Sequence, residues 1–162
     1  MTTSTFDQYC AEQDARNTVQ LNVTKYCLML CDALRKDYIS YSIHAHYGSL
    51  KRGEDTNYHE ACIAKLKQGI CNYDFIIESG NKYHKIIMSI EMGAGRSPQR
   101  SVHCFIDKKT GEVYKSASWK SPAKGVRYDL RLIKHREWLF AHADWCGSYL
   151  YANSRINQQH FQ

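Results

Sequence analysis

The sequence predicts an α+β fold: an antiparallel sheet of about four strands, built as two consecutive hairpins, packed against N-terminal and C-terminal helices. An apolar stripe recurs at spacings of three and four in the front of the chain, and paired alternating runs separated by glycine-containing turns follow in the middle. No internal repeat or low-complexity tract marks a boundary, so a single domain over 1–162 is expected: a helical front half over 1–71, a β-meander over 73–118 and a closing helix from about 129. With 162 residues, 43% hydrophobic and 23% charged, the chain has the size and composition of one ordinary globular core.

The front half reads as helix. One helix is expected over 7–15. A second, over 18–36, places Val23, Tyr26, Cys27, Leu30, Cys31 and Leu34 on a single apolar stripe. Residues 38–47 (YISYSIHAHY) alternate Ile39, Tyr41, Ile43 and Ala45 against Ser40, Ser42, His44 and His46, which reads as a short strand, with extension of the preceding helix as the other reading. A third helix starts near Asn57, whose side chain caps the free amides while Glu60 reaches back, and Ile63, Leu66 and Ile70 form its buried face.

The middle reads as strand. Runs over 73–79 and 83–92 flank Gly80-Asn81, a tight hairpin turn, and the loop GAGRSP over 93–98 leads to a second pair over 101–107 and 112–118. The intervening turn, 108–111, ends on Gly111, which supplies the positive φ such turns often need. Beyond Pro122 the chain crosses a basic loop and enters a helix from about Asp129, with Leu132, Ile133, Leu139 and Phe140 available to pack on the sheet. Residues 153–162 are polar and expected to fray.

Charge is concentrated. From Lys108 to Arg136 there are nine Lys and Arg against only Glu112 and Asp129, whereas the whole chain carries +6. The segment is interleaved with Tyr114, Trp119 and Tyr128, the pattern that suits an anionic partner, because cations attract phosphates and flat rings stack on bases. Lys115, Trp119, Lys120, Lys124, Arg127 and Arg131 are therefore the candidate contacts for nucleic acid or an acidic protein surface. A solvated face that keeps the protein soluble is the competing reading.

Other chemistries find less support. GAGRSP lacks the Lys-Ser/Thr ending of a phosphate-binding loop and follows a strand rather than opening a helix. His44-x-His46, Cys27 with Cys31, and His59 with Cys62 have ligand-like spacings, but none is completed by a second pair, so no metal and no cofactor are expected. His103 and Cys104 are strand neighbours and point to opposite faces; Cys146, one turn after His142, is the better thiol, and an enzyme with a Cys/His site is the third functional reading. Seven cysteines, an odd number, argue for reduced thiols; with no basic leader and no membrane-length apolar run, a cytoplasmic protein is expected, in which the sequon at Asn22 has no role.

The run FIDKKTGEVYKSASWKSPAKGVRYDLR over 105–131 resembles a segment of small, mostly uncharacterised proteins of tailed bacteriophages, podovirus-like and crAss-like phages among them. It covers about a sixth of the chain. The resemblance implies a phage accessory protein in the cytoplasm of the infected host cell, or packaged in the virion, that acts by binding nucleic acid, the virion or a host protein. It carries no catalytic residue across.

Overall fold

A computed structural model describes residues 5–151. One helix, α1, runs without interruption over Phe6–Lys51. At 1.5 Å per residue, its 46 residues span about 69 Å. Neither Gly nor Pro occurs in it before Gly48, and Thr5 opens it with a capping box in which Gln8 returns the hydrogen bond. The two helices expected over 7–15 and 18–36 are thus one, and the strand expected over 38–47 is its continuation.

In 38–47 the apolar contacts fall on two sides of the helix, while Tyr41 and Ala45 remain exposed. Tyr38 stacks on Tyr73 with ring centroids 3.9 Å apart and meets Trp145 edge-on at 5.3 Å. On the other side, Ile39 and Ile43 share a cleft with Leu66 of α2, which spans Thr56–Lys67 and folds back along α1. Asp55, not Asn57, caps α2, its carboxylate accepting the Tyr58 amide proton. Ile63 and Leu66 are buried as expected, but Ile70 lies past the helix end and is exposed.

Five strands follow in a plain antiparallel meander, ordered β1-β2-β3-β4-β5: β1 Tyr73–Ser79, β2 Tyr83–Ile90, β3 Gln99–Asp107, β4 Glu112–Lys115 and β5 Tyr128–Asp129. The expected four strands are present with a fifth added. Alternation sorts their side chains. Phe75, Ile86, Cys104, Ile106, Val113 and Tyr128 face inward onto Val23, Cys27, Leu30, Cys31 and Leu34 of α1, forming one apolar core. Gly111 sits at φ +73, and a side chain there would press on Val23 and Arg131 at 3.4 Å, so helix and turn meet closely at this corner. At the opposite edge, Arg35 donates to Asp74 and to the Phe75 carbonyl.

The closing helix starts later than expected. Residues 128–129 pair with β4, and the backbone continues that pairing on both sides: the Arg127 amide donates to the Val113 carbonyl and the Leu130 amide to that of Gly111. Only then does α3 run over Ile133–His142. Leu132 and Ile133 are exposed rather than packed on the sheet, and the burial comes from Trp138 and Leu139, with Phe140 at the core margin. Trp138 stacks between Tyr128 and His142. Arg136 donates to the Leu130 carbonyl and lies 4.2 Å over the Tyr26 ring, which accounts for a cation in the first turn of α3. A short 3-10 turn, Ser148–Leu150, ends the described chain by burying Tyr149 and Leu150.

The faces of α1 make a direct test. Leu30 is 0% exposed and Leu28 is 55% exposed. Leu30→Ala should cost about 2–5 kcal/mol in urea unfolding, and Leu28→Ala less than about 0.5 kcal/mol.

Candidate functional site

With α1 on one side of the sheet, no helix covers the other face, which carries the strands' own side chains and the loop after β4. Alternation places Glu78 on β1, Tyr83, Lys85 and Ile87 on β2, Arg100 and Phe105 on β3, and Tyr114 on β4 there. Tyr83 meets Phe105 edge-on at 5.6 Å and Tyr114 at 6.0 Å. Phe105 is 1% exposed although no helix covers it. Lys85 bridges two of the rings, its Nζ lying 5.7 Å from the Phe105 centroid and 5.2 Å from that of Trp119. Arg100 adds a second cation 5.5 Å from Trp119 while its guanidinium pairs with Glu78.

Trp119 reaches this face from the loop after β4. The loop is pinched by a bridge between Ser116 and Pro122, and the Ser118 hydroxyl accepts the amides of Lys120 and Ser121. The indole is 41% exposed and flanked by two cations. Among the described residues, no Lys nitrogen lies within 4.0 Å of a carboxylate; the ion pairs all use Arg or His. Lys85 and Lys120 therefore stand outside the ion pairs.

The six residues expected to form one basic face are divided among several places. Trp119 and Lys120 share the loop just described. Lys115 points to the inward side, level with Cys104, and lines a cavity near Tyr151. Arg127 is structural: its guanidinium donates to the carbonyls of Leu150, Lys124 and Gly125, tying the loop that exposes Lys124 to the end of the domain. Arg131 pairs with Asp129 and lines a cleft with Arg16 and Lys109 beside α1. Lys85 and Arg100 were missed. Their signal was the period-two alternation of the strands, which becomes a face only once the pairing register is known.

The Cys and His candidates also resolve. All seven cysteines are free thiols. Burial, with a smaller contribution from each other's proximity in the case of Cys27, pushes Cys27 and Cys31 up to about 12, and Cys104 is raised by burial too, so these three behave as small hydrophobes. His44 is exposed, whereas His46 and His59 place their Nδ1 atoms 2.8 Å apart, a hydrogen bond that leaves no space for an ion between them, and Glu54 lies 3.6 Å from His59. Among the described residues, no group of three or more His, Cys, Asp or Glu side chains is arranged to hold a metal ion. Cys146 falls beyond the end of α3, away from the helical spacing with His142, and instead lines the same cavity as His103.

These features define a class: an α+β protein with a five-stranded meander, helices on one face and a cation-aromatic surface on the other. Residues 6–152 match the model of a family of unknown function, DUF7717, and the chain belongs to that family. No curated protein and no solved structure matches it. No helix among the described residues is long and apolar enough to cross a membrane.

Two outcomes follow from the assigned roles. Arg127→Ala should destabilise the fold by about 2 kcal/mol, since three carbonyls lose a charged donor, whereas Lys124→Ala should change stability by less than about 0.5 kcal/mol. Chemical unfolding of both variants measures this. Burial holds His103 down to about 4, below its ordinary 6.5, against an upward pull from Asp144. Between those values the unfolded chain binds the extra proton, so stability should rise with pH from about 4 to 6.5, by up to about 1.4 kcal/mol per unit from this residue. His84 and His135, also lowered by burial, act with the same sign. In His103→Gln the pH slope of unfolding stability should flatten.

Proposed function

We propose that the protein binds single-stranded nucleic acid on the outward face of its sheet. The observation that carries this is the part-exposed Trp119 indole with Lys85 and Arg100 beside its ring. A single strand offers unstacked bases and phosphates in alternation, which is the complement of an aromatic surface studded with cations. A duplex keeps its bases stacked inside and cannot reach the indole with them. Lys85, Arg100 and Lys120 would meet phosphates, and Trp119 would take a base, with Tyr83 and Tyr114 extending the aromatic surface across three strands.

The likeness of residues 105–131 to a phage segment supports an accessory role in an infected cell, by binding rather than by chemistry. Docking to an acidic surface of a virion or host protein would use the same cations. It is separated by its response to Trp119 and to salt, because phosphate contacts release counterions.

Titration of fluorescently labelled single-stranded oligonucleotides tests the proposal. Trp119→Ala should weaken binding by about one to two orders of magnitude, the size of one base stacked on a ring, and Trp119→Phe should retain most of it. Replacing Lys85 and Lys120 together by Gln should reduce the slope of log affinity against log salt by about 1.4. Unchanged affinity in Trp119→Ala would overturn the proposal; salt-insensitive binding would point to a protein partner instead.

A further inference from the structure

β3 outruns β4. Its ladder with β4 covers Cys104–Ile106, and its earlier residues, 99–102, pair only with β2. At the transition the β2–β3 register slips by one: Ile86 lies opposite Cys104 and Ile87 opposite Val102, so His103 is the extra residue of a β-bulge. Bulges re-aim side chains and are common beside binding sites. Here the imidazole turns inward, with Nε2 2.8 Å from the Tyr149 hydroxyl and its ring edge-on to Phe75 at 5.6 Å.

The segment after α3 closes over this gap without filling it. Gly147, at φ +81, lies against His103, where a Cβ would come within 3.5 Å of Cε1. What remains is a cavity of about 300 Å³ lined by Met88, Ser101, His103, Lys115, Trp145 and Cys146, among others. Its lining mixes the apolar Met88, Trp145 and Leu150 with the polar groups of Ser101, His103 and Lys115, a combination of apolar wall and convergent polar groups that suits a small ligand.

Its charge is one-sided. Lys115 is the single charged residue of the lining, its Nζ lies 4.9 Å over the Tyr151 ring, and its hydrogen bond is a long one, 3.4 Å, to the Ser116 carbonyl. No carboxylate among the described residues comes within 4.0 Å of it. Asp144, the acidic group that acts on His103, has its carboxylate occupied by the Ser148 amide and hydroxyl. His103, uncharged at neutral pH and with its Nε2 engaged by the Tyr149 hydroxyl, adds no charge to the cavity.

We propose that this cavity is a binding site for a small organic carboxylate, with Lys115 as its counter-charge and Met88 and Trp145 packing its apolar body. The site opens on the opposite side of the sheet from Lys85 and Trp119, and its occupancy does not depend on nucleic-acid binding.

Cys146 is exposed at the cavity and reports on it. Iodoacetate and iodoacetamide differ only in carboxylate against amide; with either, the Cys146 thiolate forms a sulfur–carbon bond as iodide leaves. The ratio of the two rates cancels the thiolate fraction and reads the preference for a carboxylate. Measured residue by residue by mass spectrometry on the full chain, the iodoacetate-to-iodoacetamide ratio at Cys146 should exceed that at Cys10, Cys62 and Cys71 by about tenfold. It should fall to theirs in Lys115→Met and persist in Lys115→Arg. In the unmodified sequence, benzoate should slow alkylation of Cys146 and benzamide should not, a reading independent of how the variants fold. An equal ratio at all four thiols, a ratio untouched by Lys115→Met, or equal protection by benzoate and benzamide would each overturn the proposal.

Discussion

The diagonal seating of α1 on one face of the sheet is the constraint from which the rest follows. Val23, Cys27, Leu30, Cys31 and Leu34 give the helix one continuous apolar stripe, and the inward residues of β1 to β5 give the sheet one apolar face. Burying each of these side chains contributes about 1.5–3 kcal/mol, far more than the exposed ion pairs at the edges. Those edges instead fix direction: Gly111 packs on Val23 at one corner, and Arg35 bonds to Asp74 at the other. A helix longer than the sheet is wide must overhang it, and α2 folds back on the overhang at the C-terminal end.

One-sided coverage leaves the cation-aromatic face open. A helix on the outward side would have buried Phe105; without one, Tyr83, Lys85 and Tyr114 surround it. Lys85 and Arg100 lie over rings, so their stems cover apolar surface while their charges remain at the solvent boundary. The same arrangement that keeps the outward core dry therefore presents cations and an indole together.

Basic residues near one another in sequence serve separate ends. Arg127 has a planar, multiply donating head suited to collecting several carbonyls, and it is spent on closing the fold. Arg136 serves the junction of β5, α3 and α1. The lysines, with flexible stems, have no carboxylate partners among the described residues. High local charge in sequence is thus divided in space: Arg127 and Arg136 close the fold, whereas Lys120 stays outside the ion pairs.

Much of the architecture was legible in the sequence. The apolar stripe of α1, the hairpin at Gly80-Asn81 and the turn ending on Gly111 are local patterns, because each depends on spacing along one segment and on the φ a residue allows. Trp119 and Lys120 were legible as candidates for the same reason. Some misreadings are local, such as the cap at Asp55 rather than Asn57. Others turn on what lies across a gap: residues 38–47 stay helical and meet α2 on one side and Tyr73 on the other, and residues 128–129 become β5 because Val113 and Gly111 offer backbone partners. Composition and periodicity determined the class of fold, the helix stripe and the order of the strands. Which cations stand beside Trp119, which are consumed by carbonyls, and where His103 points were decided by register and a one-residue bulge, since a side chain's neighbours depend on the pairing of distant strands and not on its place in the chain.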